Sequence, residues 1–140
     1  MADVVYHNFF LQIMTKTMDL GVGGDVFKLA LFTGSKVIEV DDITYSNTNE
    51  VSGDGYSEGG YLFTNTNNSI TDDDGNNWTI FDIAEDATWA AATITARYAQ
   101  LYNSTVTNKL ICCFDFGADK SSTAGTFKVT FNASGVLKLS

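Results

Sequence analysis

Fifteen residues near the middle of the chain, TWAAATITARYAQLY from Thr88 to Tyr102, hold no Gly and no Pro. Thr, Ile, Tyr and Trp suit a pleated surface, so the run predicts a strand. From Ala92 onward it alternates: Ala92, Ile94, Ala96, Tyr98, Gln100 and Tyr102 fall on one face, Thr93, Thr95, Arg97, Ala99 and Leu101 on the other. Eleven residues at about 3.3 Å each span roughly 36 Å, long for a small domain. Small Ala side chains let neighbouring layers approach closely, as a central strand requires. Arg97, the only arginine, sits mid-strand. It is a solvated charge, a fork to a carboxylate such as Asp82 or Asp115, or a binding residue.

Shorter runs flank this axis. Val26–Thr33 places Phe27, Leu29 and Leu31 on one face, Lys109–Phe116 places Leu110, Cys112, Phe114 and Phe116, and Thr126–Asn132 places Phe127, Val129 and Phe131. Tyr61–Asn65, Ser69–Thr71, Trp78–Ile83 and Val136–Leu139 read as further strands, and Lys36–Val40 as a short continuation after the Gly34-Ser35 turn. Gly117–Gly125, GADKSSTAG, reads as a surface loop. Before them all, Val4–Met18 repeats apolar residues at helical spacing, with Asp3 as N-cap and Gly21 as stop. One amphipathic helix over about residues 4–18 and seven or eight strands at short intervals predict a mainly β fold. The architecture expected is an antiparallel two-sheet sandwich, jelly-roll-like, in one domain over residues 1–140.

Between strands lies a polar stretch, DDITYSNTNEVSGDGYSEGG from Asp41 to Gly60. Its length without regular structure marks it as functional or ordered by a partner. Gly53, Gly55, Gly59 and Gly60 predict positive-φ turns and a close backbone approach, since a phosphate-binding loop would need a Lys and a following helix. Asp72–Asn77, DDDGNN, lacks the length and closing Glu of a calcium loop and reads as a hairpin turn.

The chemistry expected is sparse. His7 is the only histidine, and Cys112 and Cys113 are adjacent in a strand, where they point to opposite faces and suit buried thiols. No nucleophile elbow is present, and Asp42, Glu50, Asp54 and Glu58 lie in polar loop where solvated charge is the default. The reading is a protein that is not an enzyme, with no cofactor and no metal. The net charge of −9, with seven lysines scattered along the chain, argues against nucleic acid. No secretion signal or membrane-spanning apolar run is visible and the two cysteines read as free thiols, so production in a reducing cytosol and no membrane partner are expected. No proline protects the strand edges; Lys28, Lys128 and Lys138 do part of that work and a partner strand could do the rest.

EVSGDGYSEGGYLF (Glu50–Phe63), the central TWAAATITARYAQLY, the opening YHNFFLQI…VFKLALFT and the closing FDFG…GTFKVTFNASGVLKL resemble, in order, a family of small structural proteins of tailed bacteriophages. The resemblance implies a virion component made in the host bacterial cytoplasm, foremost a capsid decoration (cement) protein on the outer surface of the head. Its partners would be the major capsid protein and neighbouring virion proteins, with homo-oligomerisation also open. A tail or head-fibre role, or a carbohydrate-binding β-sandwich module using Trp78, Trp89 or a Tyr as a stacking platform, are the alternatives. The expected partner contacts are the aromatic residues Tyr6, Phe9 and Phe10 of the helix and Tyr56 of the glycine-rich loop.

Overall fold

In the computed structural model, which describes residues 4–139, the regular structure consists of two antiparallel sheets, one short α-helix and a 3-10 turn at Asn65–Asn67. Eight strands are present: β1 (Val4–Val5), β2 (Phe27–Phe32), β3 (Tyr61–Leu62), β4 (Asn68–Asp73), β5 (Trp78–Ile83), β6 (Ala87–Asn103), β7 (Lys109–Val129) and β8 (Leu137–Leu139). The larger sheet runs β1-β7-β6-β2-β3 and the smaller β4-β5-β8. The helix α1 (His7–Met14) follows β1 directly.

The central strand forms as expected, but its alternation does not run straight through. Core-facing positions go Ala87 and Trp89, then Ala92, Ile94 and Ala96, then Ala99 and Leu101. Each change of parity coincides with a register shift against β7, between Trp89 and Ala92 and between Ala96 and Tyr98. A bulge puts one extra residue on a strand and so moves every later side chain to the other face. Beyond the second shift, Tyr102 faces the opposite side of the sheet, where it joins Tyr6, Ala30, Phe32, Leu110 and Cys113, with Tyr98 packed against them. The lower half of the larger sheet is therefore buried on both faces.

The stretch expected as a surface loop, Gly117–Gly125, lies inside β7, which continues from Lys109 to Val129 as the partner of β6. Its Gly, Ala, Ser and Asp residues have poor strand propensity, and the β6 ladder overrides it. The ribbon is bent rather than flat. Phe116 and Phe127, eleven residues apart, would be separated by roughly 36 Å along an extended strand, yet their ring centroids are 6.4 Å apart. Phe114 and Phe131 approach likewise, at 5.6 Å. The bulges are where the ribbon turns its corner, carrying its far end over the main core.

The helix is shorter than the expected 4–18. Val4 and Val5 pair with Cys113 and Cys112 on the edge of β7, and Tyr6 is the N-cap. Asp3, the expected cap, lies outside the described residues. At the other end Thr15 Oγ1 donates to the Leu11 carbonyl and Lys16 takes φ 58°, which ends the helix well before Gly21. Lys36–Val40 forms no strand. Cys112 and Cys113 point to opposite faces as expected and are not joined to one another; burial pushes the Cys112 thiol up.

Candidate partner-binding surface

The N-terminal segment straddles the β7 edge of the sheet. Tyr6 enters the packing on one face and Phe9 the main core on the other, both with no exposed surface. Tyr6 receives a short hydrogen bond from the Gln100 amide. This corrects the expectation that Tyr6 and Phe9 contact a partner: within this fold they are core residues, because the sheet offers apolar surface on both sides of its edge. Phe10 is different. It is 37 % exposed, and with Leu11 (54 %) and Met14 (84 %) it forms an apolar ridge on the outer side of α1. Phe10 and Met14 are one turn apart and share a face, just as Phe9 and Ile13 do on the inner side.

A second apolar strip adjoins the ridge. The His7 N–H donates to the Val40 carbonyl at 2.8 Å, fastening the 37–43 segment against the start of α1. Val37, Val40 and Ile43 are all exposed there. Ile43 is held by a hydrogen bond from the Leu110 N–H to its carbonyl. The signal for both features was present in the sequence: an eight-residue helix, HNFFLQIM, apolar on more than one face, and VIEVDDI, which interleaves apolar residues with acids.

Tyr56 is half-buried and works inside the molecule. Its hydroxyl donates to Glu50 Oε1 at 2.6 Å and accepts the Leu31 N–H at 2.9 Å. Glu50 also receives the Gly59 N–H at 2.8 Å and a short bond from the Tyr45 hydroxyl. The Tyr45 ring stacks on Tyr102, whose hydroxyl donates to the Gly59 carbonyl at 2.7 Å. One carboxylate thus gathers the 41–60 stretch onto β2 and β6, a role that long-range contact alone reveals. Burial first, then the hydrogen bond to Glu50, raises the Tyr56 and Tyr45 phenols; burial pushes Tyr102 up to about 12.

The glycines behave as expected of a close approach. At Gly60, φ is +81° and a Cβ would lie 2.0 Å from the Leu29 carbonyl oxygen; at Gly53 it would lie 2.3 Å from that of Thr93. Gly55 and Gly59 press on β6 and on the Lys28 amine respectively. Only a residue without a side chain lets the loop lie this close to β2 and β6.

A second carboxylate, Glu85, is built the same way. It accepts the Thr64 N–H at 2.8 Å, the Tyr61 hydroxyl at 2.9 Å and the Asn67 amide at 3.1 Å. Burial opposes its charge, but these three bonds outweigh it and hold the carboxyl below its usual value. A depressed carboxylate adds stability above its unfolded pKa of about 4.3, and that stability is lost as pH falls through the lower folded value. Glu85→Gln is therefore expected to be less stable than wild type at pH 7, with the difference closing below about pH 4. Urea unfolding at a series of pH values checks this; a constant difference would refute it.

Arg97 takes the structural reading, donating from Nε to Asp115 Oδ1 at 2.6 Å. Trp89 is 6 % exposed and packs on Phe127 and Tyr56, while the Lys138 amine sits over the Trp78 ring at 4.1 Å. Neither ring is an open stacking platform. A groove of about 550 Å³ between the 13–21 segment and the smaller sheet is lined by Ile13, Met18, Ile70, Phe81 and Leu139. Among the described residues no group of three or more His, Cys, Asp or Glu could hold a metal ion, and no helix is long and apolar enough to cross a membrane. No family model, curated protein or solved structure matches the chain.

Proposed function

We propose that this protein is a structural component of a tailed-bacteriophage virion, a decoration protein that binds the outer face of the assembled head. The observation that carries this reading is the exposed apolar ridge of Phe10, Leu11 and Met14 on α1, with the 37–43 segment and its exposed Val37, Val40 and Ile43 fastened at Val40 to the first turn of the helix. Large exposed apolar groups of this kind mark interaction surfaces, and the resemblance of nearly the whole sequence to small phage structural proteins supplies the class of partner. Binding the assembled lattice but not its separated subunits stabilises the lattice by mass action. Repetition of one modest contact over a shell multiplies its effect. The major capsid protein and neighbouring virion proteins are the partners in this reading.

Phe10→Ala with Met14→Ala is expected to release the protein from purified virions, with the isolated chain still folded by circular dichroism. Electron cryo-microscopy of wild-type particles is expected to place density at symmetric positions over the head with α1 at the contact. Density confined to the tail would make it a tail or fibre component; absence from particles would overturn the virion reading.

A further inference from the structure

We infer that the surface covering the α1 ridge belongs to a protein that presents an apolar cleft rimmed by Lys and Arg; this rests on the reading of the ridge as the docking surface. The strip beside the ridge is lined by acids. Glu39 and Asp41 are exposed and Asp42 half-buried, all between Val37 and Ile43. The turn that carries them is closed by the Asp42 N–H on the Glu39 carbonyl at 3.1 Å and by the Glu39 N–H on Asp42 Oδ2 at 3.4 Å. That turn abuts the first turn of α1 through the His7–Val40 hydrogen bond. The neighbouring cation, Lys36, is turned inward, its amine 3.3 Å from the Ser46 carbonyl oxygen and 4.5 Å from the centre of the Phe32 ring. On the strip side the exposed charge of the patch is therefore mainly acidic, while Lys16 is exposed just past Met14 at the far end of the ridge.

Charge then selects among occupants. A second copy of the chain brings another −9 and the same acidic strip, and like charges face to face oppose docking. Phosphate-rich surfaces, whether lipid or nucleic acid, are repelled for the same reason. A protein cleft with basic rims is attracted, and the apolar ridge then supplies the buried contact. The two parts act on different rates: rim charges steer the encounter, whereas buried apolar anchors set the lifetime of the complex.

The test uses heads of the phage that encodes the chain, prepared without this protein, and the full-length protein flowed over them. Glu39→Gln, Asp41→Asn and Asp42→Asn together are expected to lower the association rate about tenfold at low salt and leave dissociation nearly unchanged. Raising the salt is expected to remove most of that difference, because exposed charges are screened beyond about 10 Å at 0.1 M. Asp54→Asn, Asp72→Asn and Asp74→Asn change the net charge equally, away from the ridge, and are expected to have little effect. If the two triple variants slow association alike, or if binding to heads is indifferent to salt and to both, the basic rim is wrong while head decoration stands. If the wild-type protein does not bind naked heads at all, both fail.

Discussion

Phe9→Ala is expected to lower the unfolding free energy by about 3–5 kcal/mol, the usual cost of truncating a buried Phe. Phe10→Ala, at the next position, is expected to cost less than about 1 kcal/mol. The two rings lie 5.9 Å apart at adjacent positions of a two-turn helix, so local propensity cannot separate them. Burial does. Phe9 has no exposed surface and belongs to the main core, whereas Phe10 points away from the sheet. Against a total stability of about 5–15 kcal/mol, the first loss is a large fraction of what holds the fold. Urea unfolding of the two single variants measures both, with the midpoint falling steeply for one and barely for the other. Equal losses would mean that α1 does not dock by its Phe9 face. The ridge would then have to be redefined.

The same adjacency explains what could and could not be read from residue order. Strands with one buried face, such as Phe27-Leu29-Leu31, announce themselves by period-two alternation, and β2 and β5 lie within a residue of where the pattern puts them. The glycine-rich loop was legible too, because Gly53 and Gly60 are there for a steric reason that only Gly satisfies. GADKSSTAG was not. Nothing local in it favours a strand, and it is extended because β6 is there to pair with it. Bulges are equally silent in sequence, yet two of them decide which side of the sheet Tyr102 faces. Of the aromatic residues expected at a partner surface, Phe10 alone is exposed. Tyr6 and Phe9 fill the two faces of a sheet edge and Tyr56 binds Glu50, contacts that no helical period encodes. Conversely, Val37 and Val40 read as strand and Ile43 as polar loop, yet all three are exposed apolar residues of the segment fastened to the start of α1.

Above about pH 10 the protein is expected to lose stability steeply, and its phenols are the reason. In an unfolded chain tyrosines ionise near pH 10. Tyr6 and Tyr102 are sealed in the packing between the larger sheet and the 33–45 segment, and Tyr45 and Tyr56 are pinned by the Glu50 carboxylate. All four are raised, first by burial, and Tyr102 is pushed up to about 12. The sign follows from proton counting. Between pH 10 and 12 the folded state holds protons that the unfolded chain has released, so stability is intact below the unfolded value and falls as pH rises. Each such phenol contributes a slope of about 1.4 kcal/mol per pH unit. The two fully buried ones alone thus remove about 3 kcal/mol per unit, and the Glu50 pair steepens the fall. Unfolding is therefore expected within one to three units above about pH 10 for a domain of ordinary stability. Tyrosinate absorbance and circular dichroism should change together, since these phenols ionise only when the fold opens. Tyr56→Phe removes one titrating group and should flatten the slope, while losing the bond that orders the loop at neutral pH. If the tyrosines ionise near pH 10 with the circular dichroism unchanged, the phenols are open to solvent and the Glu50 hub does not hold the loop onto the sheet.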